Sequence, residues 1–172
     1  MPSKDPILNW ADRNRELVRG CMREDRRQGA PLARVRAAFA RIRAPLERPL
    51  TLYRGTRVMD LYNRPDGDGG STYRPDSTAE LPCPLSFTRS RAQARHFADW
   101  SPKGVGTGRG WIHVVALPAG TPVADVARYV EGVDARFGVR RKENARREVE
   151  VVLDRLKLRC TRVTRRTVYW RA

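Results

Sequence analysis

Glu148-Val149-Glu150-Val151-Val152-Leu153 reads as a β-strand carrying two carboxylates. The two-residue period of a strand puts Glu148 and Glu150 on one face, roughly 7 Å apart at Cα, with valines on the other. At an effective dielectric of 20 their mutual repulsion is about 2 kcal/mol, enough to raise the pKa of one of them by more than a unit. Charges are kept off the buried faces of strands, so the pair either faces solvent or lines a cleft. The apolar run that follows suits a strand buried on both faces. Taken alone, the pair fits a solvated edge better than it fits a site.

Working outward, two other short segments share this strand-like character. Pro49-Leu50-Thr51-Leu52-Tyr53-Arg54-Gly55 alternates so that Leu50, Leu52 and Arg54 share a face. Leu85-Ser86-Phe87-Thr88 is a short strand running into a helix, whose start is marked by the capping box of Ser90 and Gln93 and whose buried stripe is expected at Ala94, Phe97 and Ala98. Between this helix and a strand at Trp111–Leu117 lies Gly104-Val105-Gly106-Thr107-Gly108-Arg109-Gly110. A dinucleotide fingerprint would follow a strand and open a helix, so this is a glycine loop of another kind, with backbone amides suited to a phosphate. Residues 123–131 read as a short helix or an extended segment, residues 134–147 as a basic stretch, and Lys157–Val163 and Thr167–Trp170 as closing strands. Upstream, residues 5–48 read as helical, in two amphipathic pieces separated at Gly29-Ala30-Pro31. Residues 60–84 show no periodicity. Asp66 and Asp68 resemble part of a calcium loop, but the glutamate that such a loop needs downstream is missing. Helices first and short strands later define an α+β fold, with residues 1–48 as a helical segment packed on a core of residues 49–172.

Composition narrows the partners. The 172 residues include 35 Lys and Arg, only four of them lysines, against 19 Asp and Glu, for a net charge of +16. Such a balance implies anionic company: nucleic acid, phosphate-bearing ligands or an acidic protein. No run of apolar residues is long enough to span a membrane and the N-terminus lacks a secretory signal, so a soluble, cytoplasmic protein is expected. Cys21, Cys83 and Cys160 are far apart and odd in number, so neither a disulfide framework nor a zinc site is expected, and His96 and His113 read as a solvated and a core or rim histidine. No metal is implied.

In the order arginine strand, serine strand, glycine loop, basic loop and Glu-x-Glu strand, the chain resembles the Arg–Ser–Glu class of mono-ADP-ribosyltransferases. The resemblance covers about residues 50–170 and implies a split β-sandwich around an NAD cleft, preceded by a helical segment. It assigns Arg54 to the NAD phosphates, Ser86 to holding the catalytic glutamate, and Glu150 to stabilising the oxocarbenium-like sugar formed as nicotinamide leaves. Glu148 corresponds to the glutamate that orients and helps deprotonate an acceptor guanidinium, which points to protein arginine. Tyr53, Gly55, Phe87 and Thr88 flank these positions along the expected NAD cleft. Phe87 replaces the central residue of the family's Ser-Thr-Ser motif and is better suited to packing than to stacking on nicotinamide. Phe137, Arg146 and Arg147 fall in the segment that recognises the substrate. The reaction implied is NAD cleavage with ADP-ribose transfer, NAD being a co-substrate.

Three alternatives remain at this stage. The charge also suits ADP-ribosylation of nucleic acid, or docking on an acidic component of the transcription or translation machinery. The same residues suit simple NAD hydrolysis. A non-enzymatic, basic nucleic-acid-binding module rests on charge alone, since no helix-turn-helix, aromatic RNA-binding motif or zinc finger is present.

Overall fold

The computed structural model describes residues 5–10, 17–18, 21, 26–62, 73–81, 83–99, 110–137 and 150–172. Helix α1 (residues 6–10) begins where Asp5 caps it: Asp5 Oδ1 accepts the Ile7 and Leu8 amides at 2.8 and 3.3 Å, with Pro6 at the first helical position. Helix α2 (Arg26–Ile42) turns Leu32, Val35, Ala38 and Phe39 inward. It runs through Gly29-Ala30-Pro31 instead of breaking there, and Pro31 lies inside it. The expected helix to residue 48 is also corrected, because Arg43–Pro45 forms strand β1. A residue before proline is biased away from helix, and here the extended chain pairs with β6 (Pro122–Asp125), Ala44 opposite Val123.

The remaining strands are β2 (Leu50–Thr56), β3 (Thr78–Glu80), β4 (Leu85–Thr88), β5 (Trp111–Leu117), β7 (Glu150–Leu153), β8 (Lys157–Thr164) and β9 (Thr167–Arg171). They join with β1 and β6 into one hydrogen-bonded sheet in the order β1-β6-β7-β4-β2-β5-β9-β8-β3, with β5 and β9 the parallel pair. The α+β class expected from the sequence is the class found. Helix α3 (Arg91–Asp99) follows β4, and α4 (Val126–Phe137) follows β6, so the segment at 123–131 is strand and then helix. The capping expectation for α3 is met by the Gln93 amide on Ser90 Oγ at 3.2 Å. Its stripe is narrower than expected: Ala94 and Ala98 are buried, whereas Phe97 is 40% exposed.

Two apolar clusters lie on opposite faces of the β4–β7 ladder. Leu85, Phe87, Val151 and Leu153 join Leu52, Val115, Leu158 and Trp170 in one, and Val152 joins Ile7, Trp10, Val35 and Phe39 in the other. The alternation of the strands sets this division. A disulfide joins Cys21 to Cys83, with 6.1 Å between their Cα atoms, against the expectation that no cysteines pair. Their separation of 62 residues carries no local signal.

The core also holds a polar chain. Trp170 Nε1 donates to His113 Nδ1 at 3.1 Å, which leaves the proton on Nε2 to face Thr56 Oγ1 at 3.1 Å, while the Thr56 hydroxyl donates to the Val58 carbonyl at 2.6 Å. His113 is therefore a core residue. Burial, reinforced by the Arg54 charge, pushes its pKa from 6.5 down to about 3. The unfolded chain takes up this proton below its ordinary pKa while the folded protein does not, so stability falls as the pH drops from 6.5 toward 3. Urea unfolding should show about 1.5 kcal/mol lost between pH 6.5 and 5, and a His113→Gln variant should lack that share of the slope.

Gly55 in β2 explains how α3 crosses the sheet. A Cβ there would lie 1.8 Å from the Ala94 carbonyl oxygen and 2.6 Å from the Ala98 nitrogen, and Gly110 meets the Ala98 carbonyl in the same way at 2.0 Å. Gly55→Ala should therefore destabilise the fold by about 3 kcal/mol or more in denaturant titration. Gly132→Ala in α4, where nothing lies within 4 Å, should stabilise it by about 0.5–1 kcal/mol.

Candidate active site

The sheet order makes neighbours of the three strands singled out in the sequence: β7 with Glu150, β4 with Ser86 and β2 with Arg54. In the β4–β7 ladder Thr88 faces Glu150 and Ser86 faces Val152, so Ser86 is the diagonal neighbour of Glu150 on the same face. Its hydroxyl donates to Glu150 Oε1. The carboxylate is only 3% exposed, so it is buried rather than solvated on an edge.

Arg54 reaches the pair through the backbone. Its Nη1 donates to the Ser86 carbonyl at 2.8 Å and its Nε to the Leu61 carbonyl at 2.8 Å. One residue thus links cation to anion, with the Ser86 carbonyl on Arg54 and the Ser86 hydroxyl on Glu150. Desolvation lowers the Arg54 pKa to about 10, against the charges of Tyr62, Asp60 and Glu150, so the guanidinium stays protonated at neutral pH. The loop beneath it is fixed by Asp60 Oδ1, which accepts the Tyr62 amide at 2.7 Å. The Tyr62 hydroxyl donates to the Cys83 carbonyl at 3.1 Å and accepts the Cys83 amide at 3.4 Å, which holds the approach to β4. Burial pushes the Tyr62 pKa up to about 12.

The flanking residues divide by strand face. Phe87 does not line the cleft: it is 2% exposed and packs in the core with Leu85 and Val151. Thr88 is buried beside Glu150 in register, and its Oγ1 accepts the Ser90 amide at 3.0 Å, at the start of α3. Tyr53 is half-buried and pairs with Thr88 and Val114. Gly55 is accounted for by its contact with α3. Phe137 ends α4, but its side chain, like Glu148, Arg146, Arg147 and the glycine loop before Gly110, lies outside the described residues.

The sequence reading missed the contribution of the N-terminal helices. Trp10, fully buried, donates its indole N–H to Glu150 Oε1 at 3.1 Å and meets Phe39 edge-on at 5.2 Å. Asp5, besides capping α1, accepts the Tyr129 hydroxyl on Oδ2 at 2.6 Å. Arg36 of α2 grips Asp154, just after β7, through Nε at 3.0 Å and Nη2 at 3.1 Å. The Asp5-Pro6 cap was available as a helix-start signal, whereas nothing local marks Trp10 as a partner for residue 150. Among the described residues no group of three or more His, Cys, Asp or Glu could hold a metal ion.

No protein-family model and no curated protein sequence matches this chain. Solved structures do. The ADP-ribosyltransferase toxin Plx2a from Paenibacillus larvae superimposes with a TM-score of 0.64 at 13% identity, over 96% of this chain and 83% of that one. Exoenzyme S from Pseudomonas aeruginosa, solved with human 14-3-3 protein beta and carba-NAD, gives 0.60 at 16% identity over 98% and 74%. The Clostridium limosum C3 exoenzyme gives 0.59 at 11% identity over 98% and 85%. The chain therefore has the ADP-ribosyltransferase fold. Its sheet, with Arg54, Ser86 and Glu150 on adjacent strands, is similar in structure to those of bacterial mono-ADP-ribosyltransferase toxins.

Proposed function

We propose that the protein is a mono-ADP-ribosyltransferase that cleaves NAD and transfers ADP-ribose to a protein arginine. The observation that carries this reading is the Arg54–Ser86–Glu150 linkage, a buried carboxylate wired to a guanidinium within an ADP-ribosyltransferase fold. Arg54 commits Nε and Nη1 to carbonyls, and Nη2 has no protein acceptor among the described residues. That edge of the fork suits a pyrophosphate oxygen.

Glu150 is the group that assists bond cleavage. As the nicotinamide–ribose bond breaks, its electron pair leaves with nicotinamide and positive charge develops on the sugar. A fixed carboxylate beside the ribose stabilises that charge more than it stabilises the ground state, which lowers the barrier. The acceptor nitrogen then bonds to C1′ and gives up a proton. Glu148, two residues before Glu150 in the sequence, orients the acceptor guanidinium and takes up that proton. Support for a guanidinium acceptor comes from this Glu-x-Glu spacing and from Vis of Vibrio splendidus, a toxin of the same fold solved with agmatine, itself a guanidine. The +16 charge favours an acidic protein target.

Glu150→Gln should lower kcat for nicotinamide release by roughly 10²–10⁴ with an unchanged melting temperature, since the carboxamide oxygen still accepts from Ser86 and Trp10. Near-normal turnover would reject Glu150. With labelled NAD and agmatine, Glu148→Gln should lose transfer to agmatine while still releasing nicotinamide. Label on cellular targets that resists protease but yields to ribonuclease would move the acceptor from protein to nucleic acid, and release without any transfer would mean a glycohydrolase.

A further inference from the structure

We propose that Trp10 is a positioning residue for the carboxylate of Glu150, so that the N-terminal helix supplies part of the catalytic apparatus. This inference rests on the reading of Glu150 given above. Two donors converge on one oxygen: the Ser86 hydroxyl from the adjacent strand and the Trp10 indole from α1, 140 residues away in sequence. With Oε1 held from two elements, the carboxylate cannot turn about its last torsion without breaking a bond, and its second oxygen keeps one direction.

Trp10 is suited to holding and not to chemistry. The indole has a donor and no acceptor, so it cannot take a proton from substrate. It is fully buried and Glu150 nearly so, so the bond forms where bulk water competes little and its loss leaves a buried charge short of a donor. The ring's own position is fixed independently of Glu150. Phe39 of α2 packs against it edge-on, with planes 83° apart. Three residues earlier, Ile7 packs in the same cluster, and Asp5 anchors the start of α1 to Tyr129 on α4. The disulfide from Cys21 to Cys83 ties the chain following α1 to the approach of β4, three residues before Ser86. A preorganised carboxylate lowers the barrier because it need not reorient as the sugar becomes charged, so its placement should act on turnover more than on NAD binding.

The test replaces Trp10 with β-(3-benzothienyl)alanine, which keeps the ring shape and removes the N–H, in full-length protein. Nicotinamide release from NAD and the melting temperature are measured for this variant and for the same substitution in the Glu150→Gln background. The expected result is a kcat reduced roughly 10- to 100-fold, a KM for NAD within about twofold of wild type, and little further loss in the Glu150→Gln background. Trp10→Phe should show the same split of kcat from KM. An active wild type with an unimpaired benzothienyl variant would overturn the role of Trp10 alone, as would an equal further loss in both backgrounds, which marks general damage to packing. A wild type that releases no nicotinamide would overturn the reading of Glu150 and this inference together.

Discussion

A carboxylate removed from water needs donors in place of its hydration shell, and the arrangement around Glu150 follows from that need. At 3% exposure it can remain an anion only where the protein brings N–H and O–H groups to it. Ser86 does so from the middle of the chain and Trp10 from its N-terminal part. Each donor requires a further support. Ser86 is fixed by the β4–β7 ladder and by Arg54 on its carbonyl, and Trp10 by the cap at Asp5 and the face of Phe39. The N-terminal helices are thus tied to the site by the same bonds that make a buried charge tolerable.

The strand pattern explains how one short segment serves both sides. Along β4, Ser86 and Thr88 face Glu150 while Leu85 and Phe87 face the large core. Arg54 shares a face of β2 with Leu52, so it meets the backbone of Ser86 and not its side chain. This accounts for the departure at the middle of the Ser-Phe-Thr triplet. The central position contributes a side chain to the core, where phenylalanine packs well, and the linkage to Arg54 and Glu150 uses the Ser86 peptide and hydroxyl alone. An apolar residue there costs the linkage nothing.

Much of this was legible because it is local. Alternation pointed to β2 and β4, the apolar run Val151-Val152-Leu153 to β7, and the capping box to the start of α3. The choice between a solvated edge and a cleft for Glu150 was not local: it depended on what covers that face of the strand. The disulfide and the Trp10–Glu150 bond join residues 62 and 140 positions apart, and no spacing rule reaches them. At Gly29-Ala30-Pro31 propensity argued for a break, but Leu32 is buried, Val35, Ala38 and Phe39 pack in the helical cluster, and tertiary packing carries the helix across. Phe97 shows the opposite error, a stripe drawn one residue too wide. The helix approaches β2 so closely at Gly55 that only alanine fits on its contact face, and the larger ring remains at the rim.

The same accounting clarifies the charge. Acidic residues are few, and several are committed internally: Asp5 to a helix cap and Tyr129, Asp60 to the turn below Arg54, Asp125 to Arg89 and the Arg128 amide, Asp154 to Arg36, and Glu150 to the site. Where such a group meets an arginine it cancels that charge locally, as at Asp154. Where it caps a helix or meets a hydroxyl, no cation is neutralised at the contact. Among the described residues an exposed pair, Arg159 with Asp76 at 2.6 Å, offsets one arginine, while Arg34, Arg91, Arg95, Arg165 and Arg166 are all exposed. A field of this sign draws anions toward the protein before any contact forms, and screening weakens it with added salt. Under the proposed function it acts on both substrates at once. The pyrophosphate of NAD and an acidic target protein are pulled in the same way, while cleavage of the nicotinamide–ribose bond depends on Glu150, a carboxylate that the fold has buried.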